Sequence, residues 1–234
     1  MKSRCVLLPL VFALAALVGC ANPAGGAPKK DGGTGDGGGE AQADNLFVLN
    51  ATTGSYDFAT ASTDYLGPDG YTLWSLSLGA QSTFVGRDVT LRKDSGYQYA
   101  GYGIVFCERA LGDGSETMLV AMINTEGQYS VGETAGSTYT PYTGTADNSW
   151  VNANASSAVL HVGYGEGNAN ELVVTRDAAS KEFTLSLNGH EVFSFTDQRL
   201  PLVEGGSDGF IAVIGPDSKE DFPSKPVQIS YTEH

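Results

Sequence analysis

Residues 183–195 read FTLSLNGHEVFSF. Phe183, Leu185 and Leu187 alternate with Thr184 and Ser186. Beyond Asn188-Gly189, Val192 alternates with Ser194, and Phe193 and Phe195 fall on the opposite parity. A period of two puts successive side chains on opposite faces of a strand. Asn-Gly accepts positive φ at both central positions of a type I′ turn, whose twist matches that of paired strands. The stretch therefore predicts a β-hairpin. A lone hairpin is marginal in water, so this one belongs to a larger sheet.

The rest of the chain supplies that sheet. Strand-like runs recur at 46–50, 71–78, 88–93, 99–108, 117–123, 127–133, 157–164, 171–176, 209–215 and 227–232, with turn residues between them. They are rich in Val, Ile, Tyr, Phe and Thr, as strands prefer. No long helical periodicity interrupts them, so the pattern predicts an all-β sandwich or barrel. Residues 51–70, 134–156 and 215–226 read as long loops. Loops of such length are often functional.

The chain opens differently. Lys2 and Arg4 precede an apolar run, Val6 to Val18, broken only by Pro9. That is short of the about 20 apolar residues that a membrane span needs and suits a secretory signal. It ends in Leu17-Val18-Gly19-Cys20, which resembles the lipobox of bacterial lipoproteins. The resemblance implies cleavage before Cys20 and acylation of Cys20, hence a partner in the lipid bilayer. Ala21 follows where the inner-membrane retention signal of such proteins has Asp, so the expected location is the cell envelope, at the outer membrane or cell surface. Residues 21–45 are glycine-rich with few apolar side chains, and predict a flexible tether. The expected organisation is a signal peptide over 1–19, a lipidated Cys and linker over 20–45, and one β-sandwich domain over 46–234.

Charge and cysteine usage narrow the functions. The chain has 13 Lys and Arg against 27 Asp and Glu. Without Lys2 and Arg4, 11 cations face 27 acids, a formal charge of −16. Nucleic-acid binding relies on cationic contacts to phosphate, so nucleic acid is excluded as a partner. With Cys5 in the signal and Cys20 acylated, Cys107 remains alone and no internal disulfide forms. It lies in an apolar run with Arg109 near in sequence but no His, as expected of a small buried hydrophobe.

The order of elements carries a second resemblance. Gly103 to Phe106, Glu126-Gly127-Gln128-Tyr129, Asn170 to Val174, Asn188-Gly189 and Gly209 together resemble the concanavalin A-like, laminin-G-like jelly roll of bacterial surface proteins and carbohydrate-active enzymes. The match covers about residues 97–232 and consists of fold-forming residues. It departs in a longer stretch at 143–168 and in a final strand, VQISYTE, without Phe-Asp. The resemblance implies a two-sheet antiparallel jelly-roll sandwich with the hairpin as scaffold. It also implies a Glu-x-Asp-x-Glu strand where the fold hydrolyses glycosides, and no such run is present. Glu126 and Glu133 lie at the two ends of one strand, Glu171 and Asp177 flank another, and Glu220-Asp221 are adjacent in a proline-rich segment.

Other chemistries leave little trace. His190-Glu191 begins like a zinc-protease motif, but position 194 is Ser. There is no Gly-x-Ser-x-Gly elbow, and the glycines at 163, 165 and 167 do not form a dinucleotide fingerprint. No catalytic residue, metal ligand or cofactor is assigned. A structural calcium ion among acids such as Asp217 and Asp221 is compatible with the fold, without a ligand spacing that specifies it.

Binding has better candidates. The loop GSTYTPYTGTADNSWVNANAS offers Tyr139, Tyr142 and Trp150 with Asn148, Asn152 and Asn154. Large aromatics among small polar residues suit recognition; they equally suit plugs at a sandwich edge, and both readings stand. The expected function is non-catalytic binding at the envelope, with a glycan as ligand. The alternatives are a structural or host-protein-interacting lipoprotein and a divergent glycoside hydrolase.

Overall fold

The computed structural model describes residues 47–50, 54–58, 72–80, 84–110, 116–135, 138–145, 147–196, 207–214 and 227–234. The signal peptide, Cys20, the linker, Asp217, Glu220 and Asp221 lie outside the described residues. Fourteen strands are described: β1 Phe47–Asn50, β2 Ser55–Phe58, β3 Thr72–Ala80, β4 Gly86–Ser95, β5 Tyr102–Ala110, β6 Glu116–Ile123, β7 Gln128–Ala135, β8 Thr138–Pro141, β9 Val151–Asn152, β10 Asn170–Arg176, β11 Glu182–Leu187, β12 His190–Thr196, β13 Ser207–Ile214 and β14 Val227–Glu233.

They form two antiparallel sheets. One runs β1-β2-β14-β4-β10-β11-β12; the other runs β3-β13-β5-β6-β7-β8, with β9 also on β7. Consecutive strands β3, β4 and β5 switch sheet twice. The last strands insert between early ones, β13 between β3 and β5 and β14 between β2 and β4. This interleaving makes the sandwich a jelly roll. Each predicted strand but one is present. The residues carrying the resemblance stand where it implies: Gly103 to Phe106 on β5, Gly127 in the turn before β7, Asn170 to Val174 on β10 and Gly209 on β13.

The hairpin of residues 183–195 is β11 and β12. Leu187 pairs His190 across Asn188 (φ 48°) and Gly189 (φ 78°). Both turn residues are left-handed, as a type I′ turn requires. Phe183, Leu185 and Leu187 point into the core between the sheets, where Phe183 stacks on Phe195 at 5.1 Å. β4 alternates likewise: Arg87, Val89, Leu91 and Lys93 are buried. The core strand thus carries a cation near each end. Arg87 bonds Asp208 on β13 at 3.1 Å and Glu233 on β14 at 2.7 Å, with its guanidinium 4.6 Å above the Phe210 ring.

The exception is residues 157–164, which form no strand. Alternation there is overridden by side-chain capture of the backbone. Asn154 Oδ1 accepts from Val159 N at 2.9 Å and Leu160 N at 2.7 Å, and Asn170 Oδ1 accepts from His161 N at 2.8 Å. Val159 and Leu160 are therefore both buried though adjacent. The long loops also hold short strands not expected from sequence: β2 within 51–70, and β8 and β9 within 134–156.

Asn188 does more than turn the chain. Its Nδ2 donates to Val159 O and to Asn170 Oδ1, both at 2.8 Å, and its Oδ1 accepts from Glu171 N at 2.8 Å. Asn188→Gly keeps the positive φ and removes all three bonds. We expect it to cost about 2–3 kcal/mol in urea unfolding, since the Glu171 amide, the Val159 carbonyl and Asn170 each lose a bond away from water. A cost under about 0.5 kcal/mol would assign Asn188 to turn geometry alone.

Candidate functional site

The sequence candidates divide between the two faces of the second sheet. β8 pairs β7 with Tyr139 opposite Thr134 and Pro141 opposite Gly132. Tyr139 thus projects from the outer face, where its ring covers Gly132. A Cβ there would lie 2.8 Å from the ring, so glycine permits the approach. Its hydroxyl bonds Ser130 Oγ at 2.8 Å, and burial pushes the phenol up to about 12 despite that bond. Trp150 packs against the same outer-face cluster, which includes Val105, Val120 and Met122. Tyr142 lies on the inner side instead. It packs on Phe195 at 5.0 Å and donates to Glu133 Oε2 at 2.7 Å. The three aromatics therefore do not form one platform, and Tyr142 plugs the sandwich edge.

The asparagines are largely engaged locally. Asn148 Oδ1 accepts from Trp150 N and Asn152 Oδ1 from Asn154 N, while both residues stay exposed. Asn154 is committed to the 159–160 backbone, as described above. Glu133 is buried, and Glu126 is exposed in the turn before β7. Val105, Met118, Val120, Met122, Ser130 and Thr134 are outer-face residues of the central strands, and all are 7% exposed or less. Among the described residues no group of three or more His, Cys, Asp or Glu is placed to hold a metal ion.

A different surface gathers at the end of the sandwich where β4, β6 and β9 finish and β5, β7 and β10 begin. It draws on the connection 96–101, the turn 124–127 and the segment 153–169. Thr125 bonds Gln98 O through both its N, at 3.3 Å, and its Oγ1, at 2.8 Å. Gly163 N donates to Thr125 O at 2.9 Å and Gly165 N to Lys93 O at 3.0 Å. The Tyr164 hydroxyl donates to Gly96 O at 2.6 Å. Beneath them Lys93, fully buried, donates to Tyr97 O at 2.6 Å and Ala100 O at 2.8 Å. Three chain segments are thus bolted together through their backbones.

What they present is aromatic and exposed. Tyr99 is 47% exposed, Val162 49% and Tyr164 39%. The Tyr97 and Tyr99 rings meet edge to face at 5.5 Å. Trp150 closes one side of this end, its indole lying over Gly101. Gln98, Glu126, Asn152 and Glu166, on or next to these segments, are exposed. The sequence reading placed Tyr99 and Tyr164 in strands and so missed them. The available signal was the glycine bracketing of Gly96-Tyr97-Gln98-Tyr99-Ala100-Gly101 and Gly163-Tyr164-Gly165, since tyrosines between glycines are candidates for exposed loops rather than sheet.

The class defined by this architecture is an all-β, two-sheet jelly-roll domain. No protein-family model matches the chain, and no curated protein matches it in sequence. Solved structures share its layout at low similarity. A carbohydrate-binding module from Bacillus subtilis is 11% identical, with a TM-score of 0.44 over 77% of this chain and 92% of that one. A β-glucanase from Bacillus licheniformis is 9% identical, with a TM-score of 0.44 over 81% of each chain. The metal-free carbohydrate recognition domain of Emp46p is 13% identical, with a TM-score of 0.46 over 81% and 84%. At such identities the ligands and reactions named for those proteins remain theirs, and the strand order above carries the fold by itself.

Proposed function

We propose that this chain is a lipid-anchored cell-envelope protein whose sandwich binds a glycan at the tyrosine-bearing end. The observation that carries the binding reading is the exposure of Tyr99, Val162 and Tyr164 on segments held rigid by backbone bonds. Apolar sugar faces stack on aromatic rings, while Gln98 and Asn152 offer hydrogen bonds to hydroxyls. A rigid platform loses little entropy on binding. The anchoring reading rests on the Leu17 to Cys20 box, the leader before it and the glycine-rich tract after it.

A glycan array probed with the purified protein tests the binding half. Hits are expected, with affinity about tenfold weaker in Tyr99→Ala and Tyr164→Ala, and nearly unchanged in Tyr142→Phe. An empty array, with a protein partner captured through the same tyrosines, would sink it. Fatty-acid labelling in cells tests the other half: label is expected on the wild type and absent from Cys20→Ala.

A further inference from the structure

The tyrosine-bearing end is fastened from below by a buried cation. Lys93 is 0% exposed and makes no ion pair among the described residues, whose three ion pairs involve Arg87 and Arg92. Both carbonyls that its ammonium reaches, Tyr97 O and Ala100 O, belong to the connection 96–101. Gly96, at the head of that connection, lies against its stem: a Cβ there would be 3.3 Å from Lys93 Cε. The groups packed around Lys93 bring it no opposite charge. β5 contributes the Tyr102 ring, 5.6 Å from the ammonium. β14 sets Ile229 opposite Lys93 and Val227 beside Gly96. β10 begins at the neutral Asn170, opposite Leu91. The segment 163–165 brings Tyr164, on which Glu126 also acts; burial raises its phenol, as it raises that of Tyr102. Arg92 and Asp94 flank Lys93 along β4 and so face the other way, bonded to each other and to Ser230.

An ammonium held away from water without a carboxylate resists its charge, and burial lowers Lys93 to about 7. In water a lysine titrates at about 10.4. Water reaches this side chain when the connection 96–101 lifts, because that connection supplies both of its bonds and covers its stem. Lifting also breaks the two bonds from Thr125 to Gln98 O and the bond from the Tyr164 hydroxyl to Gly96 O. Tyr99 is then parted from Val162 and Tyr164. We infer that Lys93 is a proton-operated latch on the tyrosine-bearing end: uptake of a proton by its amine is coupled to lifting of residues 96–101, which takes the exposed surface apart. As a control on ligand binding, the latch rests on the glycan reading above; as a motion, it stands without it. Between about pH 7 and 10.4 the lifted form binds the extra proton, so each pH unit of acidification favours lifting by up to about tenfold. Below about pH 7 both forms hold the proton and no further loosening follows.

Chymotrypsin reads the lifting, since cleavage after Tyr97 or Tyr99 needs an open loop. Initial rates are measured on the full chain in detergent, with the cut sites assigned by mass and each rate divided by that on an unstructured tyrosine peptide at the same pH. The normalised rate is expected to be about tenfold lower at about pH 8.5 than at about pH 7. In Lys93→Met the two pH values should give equal rates, whatever their absolute size. Low urea should barely change the wild-type rate, because a lifted loop exposes little surface. Equal wild-type rates at the two pH values would overturn the latch, with Lys93 gaining its proton in place. A tenfold ratio kept in Lys93→Met would overturn it by assigning the proton to another group. Steep acceleration by urea would overturn it in favour of unfolding of the whole domain. An empty glycan array beside a tenfold ratio would remove the binding reading and keep the latch; array hits beside equal rates would do the reverse.

Discussion

Arg87→Ala is expected to destabilise the protein by about 3–5 kcal/mol in urea unfolding. Arg87 and Asp208 are 9% and 7% exposed, and their bond at 3.1 Å joins β4 of one sheet to β13 of the other. The guanidinium also donates to Gly209 O at 3.2 Å and lies over Phe210. Removing it takes a cationic partner from a buried carboxylate and one hydrogen bond from a carbonyl, and opens a cavity, and the three losses act together. The bond to Glu233 adds little, because that partner is half exposed and screened by water. The double replacement Arg87→Met with Asp208→Leu should recover much of the loss, since a buried ion pair contributes little net stability against well-packed apolar groups. A single-variant cost below about 1 kcal/mol would mean that Arg87 does not hold the sheets together.

The other cation of β4 should make stability rise with pH. Burial lowers the Lys93 ammonium to about 7 in the folded protein, against about 10.4 in an unfolded chain. Between these values the unfolded state binds the extra proton. Stability therefore increases with pH across this window, by at most about 1.4 kcal/mol per pH unit. Below about pH 7 both states are protonated and the slope from this group vanishes. Near pH 10 the trend reverses. Burial raises the phenols of Tyr56 and Tyr102, so the unfolded state loses protons that the folded state keeps. In urea unfolding, the advantage of wild type over Lys93→Met should grow by about 3 kcal/mol between about pH 7 and 9.5. Parallel curves for the two proteins would show that Lys93 is not desolvated in the native state. The same residue supports the tyrosine-bearing loop, so Lys93→Met should also weaken the proposed glycan binding.

Much of this was legible in the sequence. Asn188-Gly189 and the flanking alternation specify a hairpin because period and turn chemistry agree, and local geometry decides both. The core followed because β4, β10 and β11 alternate cleanly. Residues 157–164 misled because alternation says nothing about side-chain amides. Asn154 and Asn170 lie in neighbouring segments, and only the fold brings their oxygens to the 159–161 backbone. The site was less legible for a similar reason. Tyr139, Tyr142 and Trp150 are close along the chain, but β8 sends alternate residues to opposite faces and so parts Tyr139 from Tyr142. Tyr97, Tyr99 and Tyr164 are far apart along the chain. They come to one end because β4 and β10 are antiparallel neighbours, and β4 finishes where β10 begins.

The short edge strand β1 has a consequence for what the domain can reach. Phe47 pairs Phe58, Phe58 pairs Val227, and the neighbouring Gln228 pairs Ser95. The chain thus enters the sheet at the same level as the loop carrying Tyr97 and Tyr99. Under the proposed acylation, the leash would attach on the side of the molecule proposed to bind glycan. A tether over residues 20–45, if it is the coil expected from its composition, would have a root-mean-square span of roughly 28 Å. A sandwich so anchored would reach polymers lying on its own membrane before those held by a neighbouring cell.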